Sequence, residues 1–203
     1  MAGLRDVDYE QVRKEAASKL GIRTSKLVVA ARPLDYSAPG KGHPLGFPAP
    51  EPWPEPVNGV MFVAELTDAI RKYVVLTEND ALAAAMWIRH AYCFDAFACT
   101  PRLAITAPEK RCGKTTLLDV IGILVPRPLS TANISSAATF RTIEAVRPTL
   151  LDEADTFLGE NEELRGILDS GHRAGGQVIR TFGDDFEVRA FSTQCPVAIA
   201  QIT

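Results

Sequence analysis

A short run near the middle of the chain, APEKRCGKTT, has the residue types of a phosphate-binding loop. A buried strand is predicted just before it, and a helix is predicted to begin at Lys114. Backbone N–H groups of such a loop, together with the positive end of the helix, can bind phosphate oxygens. The Lys114 amine would reach the β- and γ-phosphates of ATP, and the Thr115 hydroxyl would ligate Mg²⁺. The residues predicted to bind the nucleotide are Pro108, Glu109, Lys110, Arg111, Cys112, Gly113, Lys114, Thr115 and Thr116.

Proline stands where the usual pattern of this loop, GxxxxGK[ST], has its first glycine. Pro108 fits that position if φ is about −65° and no N–H is needed there, but it does not fit a left-handed backbone. Gly113, in contrast, lets the backbone come close to the nucleotide. A helix start that contains Gly-Lys-Thr by chance is the alternative interpretation.

A second run, RPTLLDEADTFL at 147–158, supplies two acids at the end of a predicted buried strand. Ligands of open α/β sheets bind at the carboxyl ends of the strands. Asp152 is expected to hold Mg²⁺, and Glu153 to orient and deprotonate a water aimed at the γ-phosphate. An ordinary strand end with two solvated acids is the alternative. Together with the loop, the acids predict an ATPase whose catalytic residues are Glu153 and Lys114.

The spacing from Lys114 to Asp152 leaves room for a helix, a strand, a second helix and a second strand. The two motif strands therefore need not be adjacent, as in the ATPases with a catalytic glutamate that have an additional strand between them. PVAIA, at 196–200, is the candidate for that inserted strand. Gln201 or Thr203 at its end would act as a sensor near the γ-phosphate, although a polar surface residue is the simpler interpretation.

Hydrophobic periodicity predicts the elements that must position these residues. Helices are predicted at 61–73, 79–92, 114–124, 135–146 and 161–173, and strands at 102–106, 129–131, 148–153, 177–182, 186–191 and 196–200. Strands that alternate with crossover helices indicate a parallel sheet covered on both faces. The predicted fold class is therefore α/β, with the three-layer αβα sheet of a P-loop NTPase of the additional-strand, catalytic-glutamate type.

Three parts follow one another along the chain. Residues 1–32 are predicted to form a small helical, helix-turn-helix-like segment, which either contacts DNA or docks on a neighbouring part. Residues 33–56 are a linker rich in proline and glycine, and 57–203 are the ATPase core.

Bulk composition narrows the class of partner. The formal net charge is −3 over 203 residues, so any contact with nucleic acid must come from local clusters of basic residues. Four cysteines without CxxC spacing are typical of reduced thiols, and they share no metal pattern with the three histidines. No signal peptide and no apolar run long enough for a membrane span is recognisable, which predicts a cytoplasmic protein.

The motifs PRLAITAPEKRCGKTTLL, TLLDEADTFL and NEELRGILDSGHR, with the basic hairpin that follows, resemble an uncharacterised family of P-loop ATPases from phages, plasmids and integrative elements. The N-terminal run YEQVRKEAASKLGIRTSKL also resembles the segment that precedes the ATPase domain there, so the resemblance covers nearly the whole chain. Members are often joined to, or encoded beside, primase–polymerase modules and are presumed to be helicase-like. Because the family has Ser-Pro or Ala-Pro in the loop, Pro108 is expected to be a family feature.

The resemblance implies an AAA+-like, helicase-like motor that uses ATP and Mg²⁺ in replication of a phage or mobile element. It also implies single-stranded DNA as partner, a ring of identical subunits in the full-length form, and a primase–polymerase partner. The last core strand, the helical lid and a trans-acting arginine of such ATPases are expected beyond Thr203, so the core is expected to be incomplete at its C-terminus. Loss of that arginine would slow hydrolysis by about 10³-fold or more.

Two other functions stay open at this point. One is a regulatory short form that binds ATP without turning it over. The other is a small-molecule kinase, which is the weaker candidate because such kinases do not need Glu153 and no lid is recognisable.

Three arginines lie around the predicted hairpin: Arg173, Arg180 and Arg189. In ring-shaped helicases a hairpin just before the sensor strand often points basic residues into the pore, where they contact DNA phosphates. The alternative is an edge hairpin whose arginines pair with Asp184, Asp185 and Glu187.

Overall fold

Two helices, then strands and helices in alternation, and finally three successive strands follow one another from residue 59 to residue 202. The computed structural model describes residues 45–47, 50–109, 112–130, 134–153, 161–183 and 185–202. The helices of this part are α1 (Gly59–Arg71), α2 (Glu78–Ala91), α3 (Lys114–Leu124), α4 (Ser136–Val146) and α5 (Glu162–Ser170). Its strands are β1 (Leu103–Ala107), β2 (Pro128–Ser130), β3 (Thr149–Glu153), β4 (Gln177–Phe182), β5 (Glu187–Ser192) and β6 (Val197–Ile202).

The chain divides into two units, residues 1–46 and 47–203. The helical segment predicted at 1–32 lies outside the described residues. No described helix is both long and apolar enough to cross a lipid bilayer.

Four strands form one parallel sheet in the order β1-β6-β3-β2. Strand β6 pairs with β1 on one side and with β3 on the other, so Ala200 lies between Ile105 and Glu153. The prediction that the last strand is inserted between the two motif strands is confirmed. The α/β class with a parallel sheet flanked by helices is confirmed as well, and the arrangement is compatible with three αβα layers.

The central strands are apolar on both faces because helices cover both faces. Leu151 and Ala198 belong to a core with α1, α2 and α3, whereas Leu150 and Val197 belong to a second core with α4 and α5. Successive side chains of a strand point to opposite faces, so the adjacent leucines of β3 serve different cores. Burial of each leucine stabilises the fold by about 1.5–3 kcal/mol.

Side-chain caps determine where several helices begin. The Ser135 hydroxyl accepts a hydrogen bond from the Ala138 N–H at 3.2 Å, and Thr77 caps α2 in the same way. At the other end of α4, Arg147 is left-handed, with φ of +48°, and Pro148 follows. A cap of this kind contributes about 1 kcal/mol to stability.

Strands β4 and β5 form a separate antiparallel hairpin, as predicted. Val178 and Phe191 pair across it and pack against the core under α4 and α5. The opposite face carries Ile179 and Val188, and both side chains are exposed. The hairpin is therefore anchored through one face.

Candidate functional site

The predicted phosphate loop lies at the carboxyl edge of the sheet, between the end of β1 and the start of α3. Gly113 is the N-terminal cap of α3 and is left-handed, with φ of +82°. Among the loop residues that the structure describes, Pro108 is not left-handed, so its backbone suits proline. Lys110 and Arg111 lie outside the described residues. The left-handed turn therefore falls on the glycine that tolerates it.

The amine of Lys114 folds back over the loop. Its Nζ donates a hydrogen bond to the carbonyl oxygen of Glu109 at 3.2 Å. This bond holds the positive charge beside the N-terminus of α3, where backbone N–H groups and the helix dipole attract anions. Thr115 is exposed at the second position of the helix. The arrangement fits a phosphate group, which would replace the carbonyl as acceptor of the lysine.

The acids predicted to serve catalysis are the last two residues of β3. Asp152 is in register with Ile199 of β6, and Glu153 with Ala200. Since β1 is the next strand beyond β6, the backbone of the acids lies two strand spacings, roughly 10 Å, from that of β1. The side chains of the two acids lie outside the part of the chain that the structure describes. The loop and the acids belong to the same edge of the sheet.

The predicted sensor residues belong to the strand between the two motifs. Gln201 is exposed and is in register with Thr106 near the end of β1. It therefore lies at the same edge as Lys114 and the acid pair. Thr203 lies outside the described residues.

The turn between α1 and α2 also borders the loop. The sequence did not predict that any residue of this turn contacts the loop. A Cβ placed on Gly113 would be 3.5 Å from Cγ1 of Val74 in this turn. Val74 is buried, whereas its neighbours Tyr73 and Val75 are exposed. The turn that contacts the phosphate loop thus also carries two exposed apolar residues. No local pattern signals this contact, because it joins distant parts of the chain.

The three basic residues proposed to contact DNA all have partners within the chain. Arg180 pairs with Glu163 at 2.5 Å, and Arg189 pairs with Glu187 at 2.6 Å. Arg173 donates from Nε to a ring nitrogen of His172 at 3.3 Å. Arg180 and Arg189 are opposite each other across the hairpin, so they share the face that is turned towards the body of the protein. The pair with Glu187 agrees with the alternative interpretation, whereas the partner of Arg180 is not one of the acids considered.

The four cysteines, all within the described residues, form no disulfide. Cys112 is exposed in the loop, and Cys195 is buried just before β6. Burial raises the pKa of the Cys195 thiol to about 12, although the positive charge of Arg102 opposes that shift. Within the described ranges no group of three or more His, Cys, Asp and Glu residues is arranged as a metal site.

Comparison with known proteins adds no relative. The chain matches no protein-family model, and no curated protein matches it. The functional assignment therefore depends on the geometry of the carboxyl edge, where Lys114, Thr115 and the end of β3 are brought to one side of the sheet.

Proposed function

We propose that the chain binds ATP and Mg²⁺ at the carboxyl edge of its sheet and hydrolyses the γ-phosphate. The observation that carries this proposal is the position of β6 between β1 and β3. Through this arrangement the phosphate loop and the Asp152–Glu153 pair share one edge with a single strand between them. A chance GKT at a helix start does not require acids at the neighbouring strand ends.

Each residue has one task in this proposal. The backbone of the loop and the N-terminus of α3 bind the phosphates, and Lys114 neutralises part of their charge. Thr115 and Asp152 would hold Mg²⁺, which neutralises further charge on the phosphates. Glu153 orients a water and accepts its proton as the oxygen bonds to the γ-phosphorus. The bond from that phosphorus to the bridging oxygen breaks, and ADP and phosphate are the products.

The biological context that we propose is a helicase-like motor acting on DNA during replication of a phage or mobile element. Two observations support this context: the resemblance of the motifs to P-loop ATPases of phages and mobile elements, and the hairpin that precedes β6. Single-stranded DNA, a ring of identical subunits and a primase–polymerase module are the partners proposed with it. In that setting DNA should stimulate hydrolysis.

The alternative is a regulatory module that binds ATP without turning it over. One observation favours it: Arg173, Arg180 and Arg189 already have partners within the chain. The ion pairs are exposed, however, and exposed pairs contribute only about 0–1 kcal/mol, so DNA phosphates can compete for these arginines. The two functions differ in whether DNA changes turnover.

The experiment that tests the function combines nucleotide binding with turnover. Lys114→Ala should abolish ATP binding, because it removes the positive charge at the start of α3 that neutralises the phosphates. Glu153→Gln should bind ATP with unchanged affinity but lose at least about 100-fold in turnover, the usual contribution of a general base. ATP binding is measured by calorimetry. Turnover is measured as phosphate release, with and without single-stranded DNA.

Arg71→Ala, an exposed change at the end of α1, is the control for loss of a positive charge. Equal turnover in Glu153→Gln and the unaltered chain would exclude Glu153 as the base. Unchanged ATP affinity in Lys114→Ala would refute the nucleotide site itself. Phosphate transfer to a small acceptor, instead of to water, would identify a kinase.

A further inference from the structure

Buried polar atoms without a partner gather at the sheet edge opposite the phosphate loop. Among the described residues, four buried side-chain atoms have no hydrogen-bond partner: Nε2 of His90, Oγ1 of Thr100, Nη2 of Arg102 and Nε2 of Gln194. Thr100 and Arg102 lead into β1, and Gln194 precedes β6. Such atoms are rare in folded proteins, and each costs about 1–3 kcal/mol. Their concentration at one place therefore calls for a physical cause.

These atoms are close together in the fold. Strands β1 and β6 are neighbours, and Leu103 is in register with Ala198, so the segments that enter the two strands run side by side. The charge of Arg102 acts on Cys195, the residue after Gln194. His90 is also near this segment, because its ring is 4.9 Å from that of Phe97.

An open cleft of about 370 Å³ lies at this edge. Its walls are Cys99, Thr100, Pro101, Arg102, Asp169 and His172. Thr100 is 1% exposed, so its hydroxyl is shielded from bulk water at the wall of the cleft. A volume of this size is in the range of small-molecule sites.

The hydrogen-bonding capacity of the cleft is mostly that of donors. The unpartnered Nη2 of Arg102 can only donate, and the Thr100 hydroxyl can donate as well. His172 does not change this balance. Its Nδ1 is 2.6 Å from the carbonyl oxygen of Asp169, and its Nε2 is 3.3 Å from Nε of Arg173, so both ring nitrogens are engaged.

We propose that this cleft is a second ligand site, which binds a small oxyanion, a carboxylate or a phosphate, through Arg102 and Thr100. The site is distinct from the phosphate loop, since it lies at the amino-terminal edge of β1 and the loop follows the carboxyl end. The Asp169 carboxylate on the same wall disfavours ligands with several negative charges. It therefore sets an upper limit on the charge of the anion.

Thermal unfolding with added anion tests the proposal. The probes are sodium phosphate and sodium acetate, at constant ionic strength, on the full chain with Lys114→Ala so that the phosphate loop does not contribute. A saturable rise of the unfolding midpoint with either anion is expected, and the anion that produces it identifies the class of ligand. Arg102→Gln should weaken anion binding and so raise the half-saturating concentration by about tenfold, the effect of one lost charged hydrogen bond.

Two further variants have expected effects of different sign. Asp169→Asn should strengthen phosphate binding, because it removes a like charge from the wall. Thr100→Val should raise the midpoint without anion, since an unpartnered hydroxyl is removed, and should reduce the anion-dependent rise. If Arg102→Gln does not fold, Thr100→Val still tests whether the anion binds in this cleft.

The proposal is overturned if neither anion gives a saturable rise, or if the rise persists unchanged in Arg102→Gln and Thr100→Val. A rise that grows with concentration without saturating counts against it too, because excluded salts stabilise proteins in that general way. A lower midpoint of Thr100→Val without anion would show that the hydroxyl already has a partner, such as a water.

Discussion

The backbone at Gly113 is left-handed at the point where the phosphate loop turns into α3. Around it there is space for a side chain, because the nearest atom to an added Cβ is 3.5 Å away on Val74. The requirement for glycine therefore comes from the backbone and not from crowding. An L-residue other than glycine pays for this conformation in strain.

Gly113→Ala should lower the free energy of unfolding by about 1 kcal/mol and weaken nucleotide binding, because the loop relaxes away from its left-handed turn. Gly166→Ala is the matched control: Gly166 lies within α5, and nothing is within 4 Å of an added Cβ. That change should stabilise the protein by about 0.5–1 kcal/mol. Denaturant unfolding measures both. A stable Gly113→Ala variant with full ATP affinity would contradict the role given to this turn.

Burial at Cys195 makes stability depend on pH in the alkaline range. The pKa of this thiol rises from 9.0 to about 12 on folding. The unfolded chain therefore loses the proton first, and the stability contributed by the neutral thiol falls as pH rises from about 9 towards 12. Unfolding midpoints measured across that range should fall less in Cys195→Ala than in the unaltered chain. Tyr92, whose pKa burial also raises, contributes a fall of the same sign to both proteins.

The hairpin of β4 and β5 is fixed at its base and open at its tip. A Cβ on Gly171 would be 2.2 Å from the carbonyl oxygen of Thr193, and one on Gly176 would be 2.1 Å from that of Ser170. The Ser170 and Thr193 hydroxyls are also hydrogen-bonded, at 2.9 Å. Backbone contacts of this kind leave no room for a side chain. The base of the hairpin therefore cannot move away from α5 without breaking them.

Gly176→Ala should cost about 3 kcal/mol or more, since the added methyl group meets backbone that cannot rotate aside. Gly183→Ala, at the hairpin tip, should cost only about 1 kcal/mol, because Gly183 is left-handed but nothing surrounds it. Thermal unfolding of the two variants separates crowding from backbone strain. Equal losses would show that the base is not tightly packed.

Sequence patterns predict the elements themselves better than the contacts between them. The strand pair of the hairpin and the inserted β6 follow from local alternation and from the spacing of Lys114 and Asp152. The contact of Val74 with the loop depends on how α1 and α2 pack on the sheet, which no local pattern reports. The same holds for the cleft at Thr100, where segments far apart in the chain meet. Periodicity also extended α5 to residue 173, whereas the helix ends at Ser170.

The strand that joins the two halves of the sheet, β6, comes after the other strands of the described residues. Strand β6 contacts β1 and β3, which do not pair with each other. It also supplies residues to both cores, Ala198 to one and Val197 to the other. Without β6, the strand before the phosphate loop and the strand that ends in the acid pair would not belong to one continuous sheet.

A chain that ends after Gln194 should therefore lose cooperative unfolding and ATP binding, although it keeps Lys114, Asp152 and Glu153. Ala198→Asp, which places a charge in the middle of the sheet, tests the same dependence at full length. Circular dichroism and nucleotide binding are the measurements, and Val188→Ser on the exposed hairpin face is the control. Retention of ATP binding after loss of β6 would show that the loop works without the sheet.

The central place of β6 has a consequence for biosynthesis. During translation the helices and β1 to β5 emerge from the ribosome before their central strand has been made, so the nascent chain exposes apolar strand edges until residue 202 has left the exit tunnel. The four-stranded sheet can therefore be completed only after β6 has been made. A ribosome that stalls before this point would hold a chain that depends on chaperones for protection from aggregation.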